Sequence, residues 1–326
     1  NERLNPTFSF LLKKFHLMLL DKTIEPHYDL FILDECQDLN GVMFEIFKLI
    51  QADTKVMLGD KYQNIYSFMN TVNAFEEISS CDTDEFHLTK SFRCNTEIAN
   101  SVEEYGRKAL ESTFMFKGNE NLSLNKYDSN NITFLCKLNT TLIKTMYNML
   151  SKNKKFNLIR SIDSIFEYPI AMFIAANGSE VKSKKYKFLE ELYKDSKATS
   201  RRGFYNFLQK DSTDVDDITK YTATTLEDFE VNGINVFDLK NAVKDMEIDP
   251  NFTLATAHSY KGLEADNVIL HKDLYEAANK SLATGHKESI YPDIFRYTLD
   301  PKDKENLNLL YVAKSRARYQ LLENVS

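Results

Sequence analysis

No apolar run in the 326 residues approaches the ~20 that a membrane-spanning helix requires, which excludes a helical membrane span. The first apolar stretch, TFSFLLKKFHLMLL at 7–20, carries Lys13 and Lys14 in its middle and lacks the build of a signal peptide. The chain opens on Asn rather than Met, from which a cut or trimmed chain is expected. Its four cysteines (Cys36, Cys81, Cys94, Cys136) show no CxxC or metal-ligand spacing. That excludes a zinc ribbon or a secreted disulfide scaffold and predicts reduced thiols in a cytoplasmic or nuclear protein. Positive charge is not in excess: 41 Lys and Arg against 48 Asp and Glu give −7, which weighs against a simple basic nucleic-acid coat protein. A local groove that grips nucleic acid is still compatible with that balance. No internal repeat or low-complexity tract is present. Nowhere does Lys follow Gly, so the phosphate-cradling loop GxxxxGK[ST] lies nowhere in these residues.

The length suits two domains or three, each with a core of its own. TFSFLLKKFHLMLL has helical period with a broad apolar face. YDLFILDE follows as a continuous apolar run, the pattern of a parallel strand buried on both faces. GVMFEIFKLIQ is helical and TKVMLGD is a second short buried strand. NITFLCKLN, TTLIKTMYNMLSK and KFNLIRS repeat the alternation, and NFTLATAHS and DNVILH are further strands. The helix KENLNLLYVAKSRA and the strand YQLLEN close the chain. Alternation of this kind predicts an α/β fold with parallel strands. Residues 161–250 differ, being helical segments joined by acidic stretches such as DSTDVDD, and read as a mostly helical insertion.

The chemistry gathers at strand ends. In open α/β sheets ligands bind beyond the C-terminal ends of the strands, where LFILDE sets Asp34 and Glu35. A hydrophobic strand ending Asp-Glu is the Walker B arrangement, in which one carboxylate orders a magnesium shell and the next polarises an attacking water. Taken alone it reads equally as a turn with solvated acids. GDKYQNIYSF carries Gly59, Asp60, Gln63, Tyr66 and Phe68: an amide able to sense a phosphate and rings able to stack on bases, or core aromatics after a turn. In KSFRCNTEIAN, Phe92 and Arg93 precede a helix with Asn95 or Thr96 as N-cap. TLATAHSYKGLEADNVIL supplies His258, Lys261, Gly262 and Glu264 between two strands. The glycine permits close backbone approach, and Lys and His can donate to a phosphate backbone. Arg316 ends the closing helix in LLYVAKSRARYQL.

The order DECQD, GDKYQNIYSF, KSFR, TAHSYKGLEADNV, LLYVAKSRA closely resembles motifs II to VI of superfamily 1 DNA helicases of the UvrD/Rep type. Five motifs in that order span nearly the whole chain. TVNAFEEI and AHSYKGLEADNVIL look most like the helicase part of the F-box DNA helicases. Two departures stand out: the missing phosphate loop, and Met69-Asn70 after Phe68 where the family continues with Arg-Gly.

The resemblance implies two RecA-like parallel-sheet domains, the first incomplete (1–88), the second made of 89–160 and 251–326, with 161–250 inserted. It implies ATP and Mg2+ as cofactors, with Asp34 holding the metal and Glu35 as catalytic base. Gln37 and Gln63 would read the γ-phosphate together with Arg93 and Arg316. Phe92 would stack on adenine and Glu264 would meet the ribose, with Asp60 and Gly262 also at the nucleotide. Tyr66, Phe68, His258 and Lys261 would line the DNA path. The implied activity is ATP-driven 3′–5′ translocation on single-stranded DNA or at a single-strand/duplex junction. The phosphate loop would come from a missing N-terminal region or a partner protein. A non-catalytic DNA-binding or assembly half, or a helicase-nuclease subunit, are the alternatives.

Overall fold

A computed structural model describes residues 6–66, 74–78, 83–122, 130–291 and 294–323. Their chain order is α1 (Phe8–Leu20), β1 (His27–Leu33), α2 (Gly41–Leu49), β2 (Gln51–Met57), α3 (Ala74–Ile78), α4 (Thr96–Ala109), β3 (Ile132–Cys136), α5 (Asn139–Ser151) and β4 (Asn157–Leu158). Five helices follow: α6 (Ile162–Ala176), α7 (Phe188–Ser196), α8 (Arg201–Leu208), α9 (Asp217–Val231) and α10 (Val236–Asp245). The chain continues through β5 (Phe252–Thr256), β6 (Ala265–Leu270), α11 (Lys272–Thr284), β7 (His286–Tyr291), β8 (Ile294–Thr298), α12 (Pro301–Lys314) and β9 (Ala317–Glu323). No helix among the described residues is long and apolar enough to cross a membrane.

Two compact units result. The first comprises the described residues up to Ser91, with Ala99–Lys117 and Ala277–Val312. The second comprises Phe92–Ile98, Gly118–Glu276 and the residues from Ala313 onward.

In the first unit β1 and β2 pair in parallel, Leu33 beside Met57. Thr7 and Asn40 cap α1 and α2 by accepting from the amides of Phe10 and Met43. Leu19, Ile46 and Ile50 join the two helices against Phe31 of the sheet. Beyond the strand ends Cys36, Leu39, Phe44 and Ala74 form a second small core with Leu33 and Met57. Two expectations are corrected here, the first being β2, which was read as a buried strand and has no fully buried residue. β1 was expected to be buried on both faces, yet Tyr28, Leu30 and Ile32 are each about half exposed. Side chains alternate across a strand; the Phe31–Leu33 face meets α2 and its neighbours, while among the described residues no layer covers the other. The apolar side of α1 is likewise only partly covered, with Phe8, Phe10 and Leu17 exposed.

In the second unit five strands run parallel in the order β4-β5-β3-β6-β9. Here continuous apolar runs do mean burial: β3 and β5 are buried from their second residue onward. One core runs from Phe134 and Leu254 of the sheet through Ile143 and Met146 of α5 into Phe166, Met172, Phe204 and Leu226 of the helices. The α/β class with parallel sheets therefore stands as expected. The sequence patterning assigned no element to 272–298, where α11 begins in the second unit and runs into the first from Ala277, and β7 and β8 pair antiparallel in the first unit.

Candidate functional site

Strand β1 stops at Leu33 because its neighbour β2 stops beside it, and the chain then turns sharply. Leu58 donates its amide to the Leu33 carbonyl (2.8 Å) and Cys36 returns one to the Leu58 carbonyl (3.0 Å). Glu35 occupies the left-handed region (φ 53°, ψ 40°), unusual for a residue with a Cβ. Asp34 supports this turn by accepting the Glu35 amide at 2.9 Å. Both carboxylates are exposed, whereas Cys36 and Gln37 behind them are buried.

Gln37 is spent at both ends. Its Nε2 donates to the Glu35 carboxylate, and its Oε1 accepts the Asp60 amide at 3.0 Å. Asp60 in turn accepts from the Tyr62 amide (2.9 Å), from Gln63 Nε2 (3.0 Å) and from the Tyr311 hydroxyl (2.7 Å). Asn64 donates to the Gln37 carbonyl (3.0 Å), and Asn308 donates to the Asn64 carbonyl (2.9 Å). Gly59 makes the approach possible: a Cβ there would lie 2.5 Å from Gln37 Oε1 and 2.7 Å from Cys36 Sγ. Burial, followed by the charges of Asp34, Glu35 and Asp38, pushes the Cys36 thiol up to about 11. Burial and then the Asp38 charge raise the Tyr66 hydroxyl. Phe68 lies outside the described residues.

The donor chemistry of this turn fits magnesium. The hard carboxylate oxygens of Asp34 and Glu35 stand exposed at the strand end. Magnesium is ordinarily held by one or two carboxylates together with substrate phosphates.

The second unit gathers another set. Phe92 is 76% exposed, and Asn95 caps α4 by accepting the Ile98 amide at 2.9 Å. Arg93 donates from Nε to Glu264 (3.0 Å) and from Nη1 to the Ser315 carbonyl (3.4 Å). Arg318 shares Glu264 at 3.7 Å and reaches Asp266 at 3.4 Å. Arg316 is buried, with Nη2 donating to Ser315 Oγ at 2.9 Å. Between β5 and β6, Gly262 takes φ +85° in open space, so backbone conformation rather than crowding calls for glycine. Tyr260 in that turn bonds Thr133 Oγ1 (3.2 Å) and donates to the Glu264 carbonyl (3.0 Å). His258 and Lys261 are half-buried in the same turn.

The structure thus joins Glu35, Gln37, Asp60 and Gln63 in one network within the first unit, beside Asp34. In the second it joins Arg93, Glu264 and Arg316, the last through Ser315. Sequence reasoning missed Tyr311, Asn308, Ser315, Arg318 and Tyr260. For Tyr311 a signal was present, since a hydroxyl stood in the apolar run LLYVA.

Residues 7–84 match the UvrD/REP helicase N-terminal domain. With the motif order and the two parallel sheets, that match makes the chain a relative of the UvrD-like superfamily 1 DNA helicases. F-box DNA helicase protein 1 of Schizosaccharomyces pombe is 26% identical over 317 residues, covering 91% of this chain and 34% of that protein. F-box DNA helicase 1 of Gallus gallus is 23% identical over 309 residues, covering 92% of this chain and 29% of its own. The chain therefore spans about a third of the length of the curated relatives it matches.

Proposed function

We propose that these residues form part of an ATP-dependent superfamily 1 DNA helicase that translocates 3′–5′ on single-stranded DNA, in the cytoplasm or nucleus. The observation that carries this reading is the Glu35–Gln37–Asp60 network. It ties an exposed acid at a strand end to the turn that bears Gln63 and Tyr66. A solvated turn has no need of a buried glutamine committed at both ends; a catalytic base that must report to a DNA-contacting turn does.

In this reading Asp34 holds magnesium, which supplies charge neutralisation on the phosphates when bound. Glu35 accepts the proton of the attacking water. Gln37 fixes the direction of the Glu35 carboxylate, and Gln63 carries the state of the phosphate site to Tyr66. Arg93 and Arg316 contact the γ-phosphate, Phe92 stacks on the adenine, and Glu264 meets the ribose once Arg93 has left it. Asp60 and Gly262 shape the backbone around the nucleotide. Lys261 and His258 contact the DNA backbone, and Phe68 extends the stacking begun by Tyr66.

No Gly-Lys pair occurs in the sequence; in this reading the phosphate loop is supplied by other residues, upstream in the same reading frame or on a partner protein. The half-exposed face of β1 leaves apolar surface that such residues would cover. The test compares ATP turnover by the 326-residue chain with turnover by the same chain extended through its upstream coding sequence. Negligible turnover by the first and DNA-stimulated turnover by the second are expected. Robust turnover by the 326 residues alone would overturn the division of labour. No turnover by an extended protein that contains GxxxxGK[ST] would overturn the helicase reading. An upstream sequence without that loop would favour a non-catalytic DNA-binding subunit.

A further inference from the structure

The hydrogen bonds around Asp60 reach further than the motor residues require. Tyr311 is 3% exposed, and its hydroxyl donates to Asp60 Oδ2 at 2.7 Å. Its ring is fixed by edge contacts with Phe114 (5.6 Å between centroids), Tyr62 (6.2 Å) and Phe116 (6.3 Å). Asp60 passes the connection by its own amide to Gln37, and Gln37 passes it to Glu35. Three hydrogen bonds thus link Tyr311 of helix α12 to the acid at the end of β1, and the four residues that make them lie in the first unit. One turn earlier on α12, Asn308 repeats the attachment by donating to the Asn64 carbonyl. The same helix ends at Lys314, two residues before Arg316.

A tyrosine used only as filling would present its hydroxyl to water or to a carbonyl. This one meets a carboxylate already engaged by an amide side chain and a backbone amide. We propose that Tyr311 is a positioning residue, which through Asp60 and Gln37 fixes the Glu35 carboxylate and locks the Asp60–Asn64 turn to α12. The proposal deepens the helicase reading and rests on it for its catalytic consequence. The linkage itself is a property of the first unit. A shift of α12 along its axis would move Asp60, and with it the acid and the coupling turn.

Tyr311→Phe removes the hydroxyl and keeps the ring, and two measurements read the result. In the 326-residue chain, amide exchange at Tyr62 and at Asp60, both bonded within the network, should quicken about tenfold, the effect of losing a hydrogen bond to a charged acceptor. Exchange in β3 and β5 should stay unchanged. In the extended, ATP-hydrolysing protein, DNA-stimulated kcat should fall about tenfold, with KM for ATP within about twofold of wild type. Phe166→Leu, in the core of the second unit and outside the linkage, should lower thermal stability while keeping kcat within about twofold. Unchanged exchange at Tyr62 and Asp60, or an unchanged kcat in a wild-type background that turns over, would overturn the proposal. Wild-type protein that never hydrolyses ATP would sink the helicase reading instead and leave the exchange measurement to decide the linkage.

Discussion

Arg93 donates from Nε to a Glu264 carboxylate oxygen at 3.0 Å, joining residues that stand 171 positions apart in the chain. Arg318 flanks the same carboxylate at 3.7 Å, so release of Arg93 toward a ligand leaves Glu264 with a cation beside it. The pair is about a third to a half exposed, at 32% and 47%. Exposed pairs contribute little to stability. Glu264→Gln should therefore change unfolding free energy by less than about 1 kcal/mol, as measured by urea denaturation. A loss above about 2 kcal/mol would show that the pair holds the fold rather than waiting for a ligand.

Replacing Glu35 by Gln keeps the shape and removes the base. In the ATP-hydrolysing protein, turnover should fall by about 10²–10⁴ while ATP affinity holds within a few-fold. A variant that turns over normally cannot have lost its base, and Glu35 would have to be reassigned.

Gly59→Ala tests the packing behind the site. Its φ is not in the left-handed region, so the cost is steric: the new Cβ meets Gln37 Oε1 at 2.5 Å and the Cys36 backbone nitrogen at 3.1 Å. Overpacking of this kind should destabilise the first unit by about 1–3 kcal/mol. A variant as stable as wild type would mean that Gln37 swings aside freely, contrary to its two committed bonds.

The Cys36 thiol, pushed up to about 11 from an ordinary 9.0 by burial and three neighbouring carboxylates, gives a pH signature. The fold favours the neutral thiol. Its contribution to stability is therefore full below pH 9 and is lost as pH rises through 11. Iodoacetamide labelling of the native chain, read peptide by peptide, should leave Cys36 unmodified at pH 8.5 under conditions that label it after unfolding. Rapid native labelling would contradict that environment.

Lys261 sits in the turn whose backbone Gly262 opens. Lys261→Ala should weaken single-strand binding and reduce the slope of log affinity against log salt by about 0.7, the contribution of one phosphate contact. An unchanged slope would place Lys261 off the DNA path.

How much of the site was legible varied with the distance over which its parts act. Asp34, Glu35 and Gln37 were visible as a local pattern, because a strand end and the turn after it are fixed by neighbours in sequence. The Asn95 cap was legible for the same reason. Tyr311 was marked by no more than a hydroxyl in an apolar run, since its partner Asp60 lies 251 residues away. Burial of β1 was misjudged because an apolar run states what a strand can bury and not whether anything covers it. Residues 272–284 escaped although Leu274, Ala278 and Ser281 recur at helical spacing, because two of those three buried positions are small side chains that make no apolar run.

Local chemistry by itself determined the α/β alternation, the parallel sheets and the acids and arginines placed at element ends, because hydrophobic period and turn preference act over a few residues. Tertiary structure alone decided which polar groups find each other. It set Gln37 between Glu35 and Asp60, Arg93 on Glu264 and Ser315, and Tyr311 on Asp60. The reason is that a hydrogen bond needs its partners within about 3 Å, and only the packed chain brings groups so far apart in sequence to that distance.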